Sequence, residues 1–278
     1  RLPDIVKRSE RAFERWGALA LDDRVAIVRK AQDIMLAEAD QIARMVSLEM
    51  GRPFTESFAI EAVASIDLLY YYWKHAYRFL RDRRVSLHNP IFKRASSYIH
   101  FQPLGVMGNV APWNWPLLIP LGVIVPALLA GDTLVYKPSE FAPLTGEMLR
   151  EIFIRAGVPP DAYINIHGTG TVGEALVRSD VAKVFFTGST RVGQMVMEQA
   201  ASDLKRVVLE LGGHDPAIVC EDANVEIASS GVLWGAMGNC GQNCNAIERV
   251  YAPRRVYDRL VAQIAEKCAT LRVGDPFD

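Results

Sequence analysis

A chain of 278 residues that is 50% hydrophobic and 23% charged can bury one or two substantial cores, which excludes disorder as its general state. A net charge of −1 gives no basic face for phosphate backbones, so no nucleic-acid partner is expected. The four cysteines, Cys220, Cys240, Cys244 and Cys268, are scattered. They read as reduced thiols rather than a disulfide framework, and point to a cytoplasmic location.

The chain opens "RLPDIVKRSERAFERW", whose early acidic residues and missing apolar core do not make a signal peptide. The expectation is a trimmed start or a fragment. From Asp4 to about Phe79, apolar residues recur at helical spacing: Ile5, Ala12, Phe13 and Trp16, then Ile27, Ala31, Ile34 and Met35, then Ile66, Leu69 and Tyr72. This predicts three helices. "SSYIHFQPLG" then alternates like a strand of a partly exposed sheet.

Val106 to Gly131 carries no charge and is long enough to span a bilayer. Pro112, Pro116, Pro120 and Pro126 interrupt it, which suits a buried strand, a turn and a buried helix better than a spanning helix. No membrane association is expected. Strands are predicted at 106–111, 133–137, 163–167 and 183–187, with helices at 116–130, 144–156, 172–179 and 192–202. Strands spaced by helices of this length predict a doubly wound parallel sheet that binds ligands at the carboxyl ends of its strands. A second set follows from Arg206: "RVVLELGG", "PAIVC", a helix over 225–237, "RVYAP" and a helix over 256–271. Connectivity alone divides the chain into 1–205 and 206–278.

Two glycine loops compete for a phosphate. "GTGTVG", with Gly168, Gly170 and Gly173, follows a predicted strand and opens a helix, but no acidic residue lies about 20 positions on, as a dinucleotide fingerprint requires. A tight turn is the simpler reading. "FTGSTRVG" places Gly188, Ser189 and Gly193 at another strand end, where backbone N–H groups and a helix dipole favour an anion. Residue types alone do not rank the two. "YKPSE" sets Lys137 and Glu140 at a further strand end. It reads as a solvated turn or as a ribose site whose carboxylate would repel a 2′-phosphate and favour NAD over NADP. "GNCGQNC" holds two cysteines, Cys240 and Cys244, either of which could be a nucleophile or half of a redox pair.

Taken together, "PWNWP", "YKPSE", "FTGSTRVG", "LELGG" and "GQNC" resemble, in order and spacing, the aldehyde dehydrogenase superfamily. The likeness covers nearly the whole chain. It implies a Rossmann-type sheet with amino-terminal helices, an oligomerisation element near 95–106 and an incomplete second α/β catalytic domain. By the resemblance, Cys244 is the nucleophile and Cys240 a neighbour without catalytic duty. Asn114 and the backbone N–H of Cys244 hold the oxyanion, and Glu210 is the base that activates water against a thioester. Glu210 also reads, more plainly, as a carboxylate held by backbone amides before a Gly-Gly turn.

The cofactor is NAD, with NADP possible, and the resemblance places its pyrophosphate at "FTGSTRVG". Lys137, Glu140, Gly168, Gly188, Ser189, Gly193, Trp113 and Leu211 make up the expected cofactor set. The substrate is a small aldehyde, with Trp115, Leu117, Leu118 and Leu121 suggesting an apolar entrance. A homo-oligomer is implied for the full-length enzyme. Family members run to nearly twice this length, so the resemblance also implies an amino-terminal part of such an enzyme, lacking the "E-x-F-G-P" segment. Rival expectations are a crystallin-like protein without activity and a relative that passes the thioester to phosphate or CoA. His214 reads as structural. No His lies near the cysteine pair, so no metal site is expected.

Overall fold

The computed structural model describes residues 1–92 and 94–277. The first third is helical: α1 (Leu2–Trp16), α2 (Leu21–Ala37), α3 (Ala39–Met50), a short α4 (Phe54–Glu56), a π-helical stretch at Ser57–Val63 and α5 (Ala64–Leu80). Three helices were expected here, and α3 is the one that periodicity missed. It buries Ile42, Ala43, Val46 and Met50, a helical stripe separated from α2 only by a break at Glu38. Gly51, in the left-handed region at φ 70°, ends α3, and Pro53 follows it; together they form a common helix stop.

Two short strands, β1 (Arg83–Val85) and β2 (Ser97–Ile99), pair antiparallel. Tyr98 and Ile99 are exposed on this ribbon. An alternating succession follows: β3 (Val106–Val110), α6 (Leu118–Ala130), β4 (Thr133–Lys137), α7 (Pro143–Ala156), β5 (Tyr163–Asn165), α8 (Gly170–Arg178), β6 (Lys183–Gly188), α9 (Thr190–Ala201) and β7 (Arg206–Leu211). The five strands form one parallel sheet in the order β5-β4-β3-β6-β7. The chain winds outward from β3 to β5, then returns to start β6 on the other side of β3. This reversal opens a crevice at the carboxyl ends of β3 and β6.

Connectivity placed Arg206–Leu211 in a second unit. Instead it is the edge strand of the first sheet, in parallel register with β6 from Lys183↔Arg206 to Gly188↔Leu211. Val207 and Leu209 pack into the same apolar cluster as Val184 and Phe186. The sheet therefore passes the expected boundary at 205, because parallel pairing joins strands that are distant in sequence.

The apolar stretch that could have spanned a bilayer divides into β3, a proline-rich turn and α6. Leu121, Ile124, Val125 and Leu128 of α6 have no exposed surface. The amino-terminal helices cover α6: the Trp16 indole donates to the Leu128 carbonyl and the Arg24 Nε to that of Leu129, each at 3.1 Å. Among the described residues, no helix is long and apolar enough to cross a membrane.

Beyond the sheet come β8 (Asp215–Ile218), α10 (Val225–Met237), a 3-10 turn at Gly238–Gly241, β9 (Ile247–Tyr251) and α11 (Arg254–Ala269). β8 and β9 pair parallel, and Val219, Val225, Val256 and Leu260 form the small core beneath them.

Candidate active site

The crevice of the sheet holds a cavity of about 500 Å³ lined by Val110, Trp113, Lys137, Glu140, Gly188 and Arg191, among others. Lys137 ends β4 and is almost wholly buried; its Nζ donates to the Pro138 carbonyl at 2.8 Å and lies 3.5 Å from Glu140 Oε2. The pair therefore presents a fixed ammonium and a half-exposed carboxylate to one face of the cleft. Gly188 ends β6, where a Cβ would meet the Phe186 ring at 2.7 Å. Ser189 caps α9, accepting weakly from Val192 N at 3.4 Å. Gly193 lies against Leu211, which a Cβ would approach to 2.5 Å. The tight fit sets the first turn of α9 close against Leu211 of β7, and Arg191 and Val192 of that turn line the cleft.

Gly168 does not line this cavity. It stands at φ +144°, where a Cβ would meet Val172 at 2.4 Å, so its visible role is the turn into α8. Gly170, Thr171 and Gly173 of the same loop do reach the cleft.

The second half of the site is a loop. After α10 the backbone takes three successive left-handed residues, Asn239 (φ 55°), Cys240 (φ 57°) and Gly241 (φ 74°), a sequence of conformations that only Gly and Asn adopt readily. Cys244 follows and is exposed. It lines a cavity of about 780 Å³ together with Asn114, Glu210, Gly188, Ser189 and Leu211. It also lines a second cavity of about 590 Å³, with Glu56, Trp115, Trp234, Asn239 and Asn245. Asn114 Nδ2 donates to the Gln242 carbonyl at 2.9 Å, and the Trp115 indole donates to Asn243 Oδ1 at 2.5 Å. Cys240 takes a different position: its Sγ points back to the Gly51 carbonyl at 3.7 Å. Burial, and then the nearby Glu56, push its thiol pKa up against the pull of Arg52. Cys240 is thus held as a thiol, the poorer nucleophile.

The comparisons with known proteins bear on the chain and its doubly wound sheet as a whole. Residues 2–278 fit the model of the aldehyde dehydrogenase family. The chain belongs to that family. It is 36% identical over 276 residues to a mitochondrial succinate-semialdehyde dehydrogenase of Arabidopsis thaliana, a match covering 99% of this chain and 51% of that protein. Among solved structures, it superposes on an E. coli NADP-dependent enzyme with a TM-score of 0.92 at 33% identity, covering 99% of this chain and 56% of that one. The NAD+ complex of a Bacillus cereus aldehyde dehydrogenase gives a TM-score of 0.93 at 31% identity, with the same coverage. The chain therefore spans about half the length of these relatives.

In this aldehyde dehydrogenase fold, most of the residues expected from sequence line the cleft or the larger cavity at Cys244. Gly168 stands apart as a turn residue, Gly193 packs against Leu211 without lining either cavity, and Leu117 and Leu121, expected at an apolar entrance, are instead wholly buried in the core. His214 pairs with Glu248 on the exposed rim of β8 and β9. No group of three or more metal-ligating side chains exists among the described residues. Sequence reasoning missed a buried polar set behind the loop. Arg52 and Glu61, neither with exposed side-chain surface, form an ion pair at 3.0 Å. The Glu61 carboxylate accepts from Leu118 N at 2.7 Å, at the start of α6, and burial raises its pKa to about 7 against the pull of Arg52. The available signal was weak: "MGRPFTESFAIEAV" carries its charges among apolar residues, a pattern that equally describes a solvated helix.

Proposed function

We propose that this chain carries the cofactor cleft and the nucleophile of an NAD(P)-dependent aldehyde dehydrogenase acting by hydrolysis of a thioester. The observation that carries this reading is the common cavity of Cys244, Asn114 and Glu210, opening beside Gly188 and Ser189.

The cleft suits a dinucleotide. The first turn of α9 offers N–H groups to a pyrophosphate, and Lys137 with Glu140 stands where ribose hydroxyls would lie. Trp113 walls both the cleft and the reaction cavity. Glu140 next to Lys137 repels a 2′-phosphate, which favours NAD over NADP. When bound, the nicotinamide supplies the acceptor for a hydride.

The chain's own residues do the rest. The Cys244 thiolate attacks the aldehyde carbon, and the carbonyl oxygen becomes an oxyanion. Asn114 spends one N–H of its side-chain amide on Gln242 and keeps the second for that oxyanion, alongside the Cys244 backbone N–H. Loss of hydride from the tetrahedral carbon leaves a thioester on the Cys244 sulfur. Glu210, exposed near the end of β7, takes a proton from water. The hydroxide adds to the thioester carbonyl and the thiolate leaves, releasing the carboxylic acid and restoring Cys244. Four free cysteines fit a reducing, cytoplasmic compartment, and the exposed Tyr98 and Ile99 ribbon fits a homo-oligomer contact.

The test is NADH formation on mixing the protein with NAD and a panel of small aldehydes, with Cys244→Ala in parallel. The expected result is NADH only from the parent, with NAD affinity retained in the variant. Turnover in Cys244→Ala would remove the nucleophile assignment.

A further inference from the structure

The loop that carries Cys244 and the segment that carries Asn114 lie about 130 residues apart in the chain, yet a nucleophile and its oxyanion donor must keep a fixed separation. Asn239 lies between them and uses its whole side-chain amide. Nδ2 donates to the Asn114 carbonyl at 2.9 Å and to the Gln242 carbonyl at 3.1 Å. Oδ1 accepts from an Arg52 guanidinium nitrogen at 3.0 Å, and the Asn239 backbone N–H donates to Glu56 at 2.9 Å. The residue has no exposed surface. Its φ of 55° lies in the region that Asn tolerates better than other residues with a side chain.

We infer that Asn239 is a positioning residue, whose side-chain amide locks the loop bearing Cys244 to the segment bearing Asn114. The inference rests on the reading of Cys244 and Asn114 given above. The lock has a fixed base. Arg52 Nε donates to Ser57 Oγ at 3.0 Å, the same guanidinium pairs with Glu61, and its carbon lies 4.9 Å from the centre of the Trp115 ring. Glu61 in turn receives the Leu118 N–H. The helical first third of the chain thereby grips both halves of the reaction site from behind. Gln242, two residues before Cys244, accepts from Asn239 and Asn114 together, so its carbonyl has both lone pairs occupied and a defined orientation.

Asn239→Asp tests this, since it keeps an acceptor for Arg52 and tolerates the left-handed backbone but cannot donate to either carbonyl. Asn239→Gly removes the side chain at a position where glycine costs little, and stands in if the aspartate variant fails to fold. A misplaced reacting group costs about 100-fold, so kcat should fall about 10 to 100-fold while the Kd for NAD stays within about twofold. A residue that only stabilised the fold would not separate those two quantities.

Amide hydrogen exchange supplies a readout that needs no turnover. Peptides covering 113–118 should exchange about tenfold faster, together with 239–246, since two hydrogen bonds are lost, while those of β3 and β4 stay unchanged. An unchanged kcat in a folded variant, or unchanged exchange at 113–118, would overturn the inference. If the parent makes no NADH, or Cys244→Ala still does, the proposed function fails instead, and the exchange result alone decides whether Asn239 joins the two segments.

Discussion

The proposed cofactor cleft and the proposed nucleophile loop are built on different mechanical principles. The cleft sits on strands with almost no exposure: every residue of β4 is buried, as are four of the five in β3, the signature of a parallel sheet covered on both faces. The loop follows a thin layer, in which β8 and β9 have no fully buried residue and four buried side chains make the core. A frame of the first kind holds its residues by packing. The second lacks that support, and its reacting residues are fixed by polar ties reaching back to the first third of the chain. Precision at the nucleophile is therefore carried by hydrogen bonds, and precision at the cofactor by close-packed glycines.

The contrast can be broken most directly at Glu210, at the end of the sheet but facing the loop. Glu210→Gln should give one burst of NADH per site and then stall at the thioester, as rapid-mixing measurements would show; normal steady-state turnover would take Glu210 out of the water-activating role. Asn114→Ala should lower turnover by about 100 to 1,000-fold if its free N–H holds the oxyanion, with the NAD affinity of the cleft intact. A joint loss of both would mean that the two regions are not separable.

Truncation in each core sharpens the comparison. Leu128→Ala, in the wholly buried α6, should cost about 2 to 5 kcal/mol of stability, because a dense core cannot close over the void. Leu260→Ala, beneath β8 and β9, should fall at the lower end of the same range, with loosening confined to 215–269 in limited proteolysis and NAD binding preserved. The smallest effect is expected at Glu140. Glu140→Ala should relax the preference for NAD over NADP by up to about fivefold, the worth of one exposed charge contact, and a fixed selectivity ratio would exclude the carboxylate from that choice.

The sheet was legible because its signals are local. Thr133–Lys137 and Val225–Met237 were placed to the residue, since a short β-rich run or a mostly apolar helical stretch is bounded by its own turn residues. What stayed hidden was pairing across sequence distance. Arg206–Leu211 reads as the start of a new unit until its register with β6 is seen, and α3 vanished because its stripe follows that of α2 with no glycine or proline between them. The catalytic trio came from motif order, which carries chemistry but not support. Arg52 and Asn239 are far apart in the chain, and no periodicity links a buried guanidinium to a left-handed asparagine. The residues proposed to do the chemistry stand in recognisable motifs; those that tie their segments together are a property of the folded contacts alone.

Leu118, Ile119 and Cys244 line both cavities of the reaction site, and so form a partition with a thiol set into it. A reaction of two molecules commonly obliges one to wait while the other passes. Under the proposed function each would have its own chamber, with Cys244 in the wall between them. An aldehyde entering beside Trp115 and Trp234 would then not cross the dinucleotide's path, and the acid would leave by the door through which the aldehyde came.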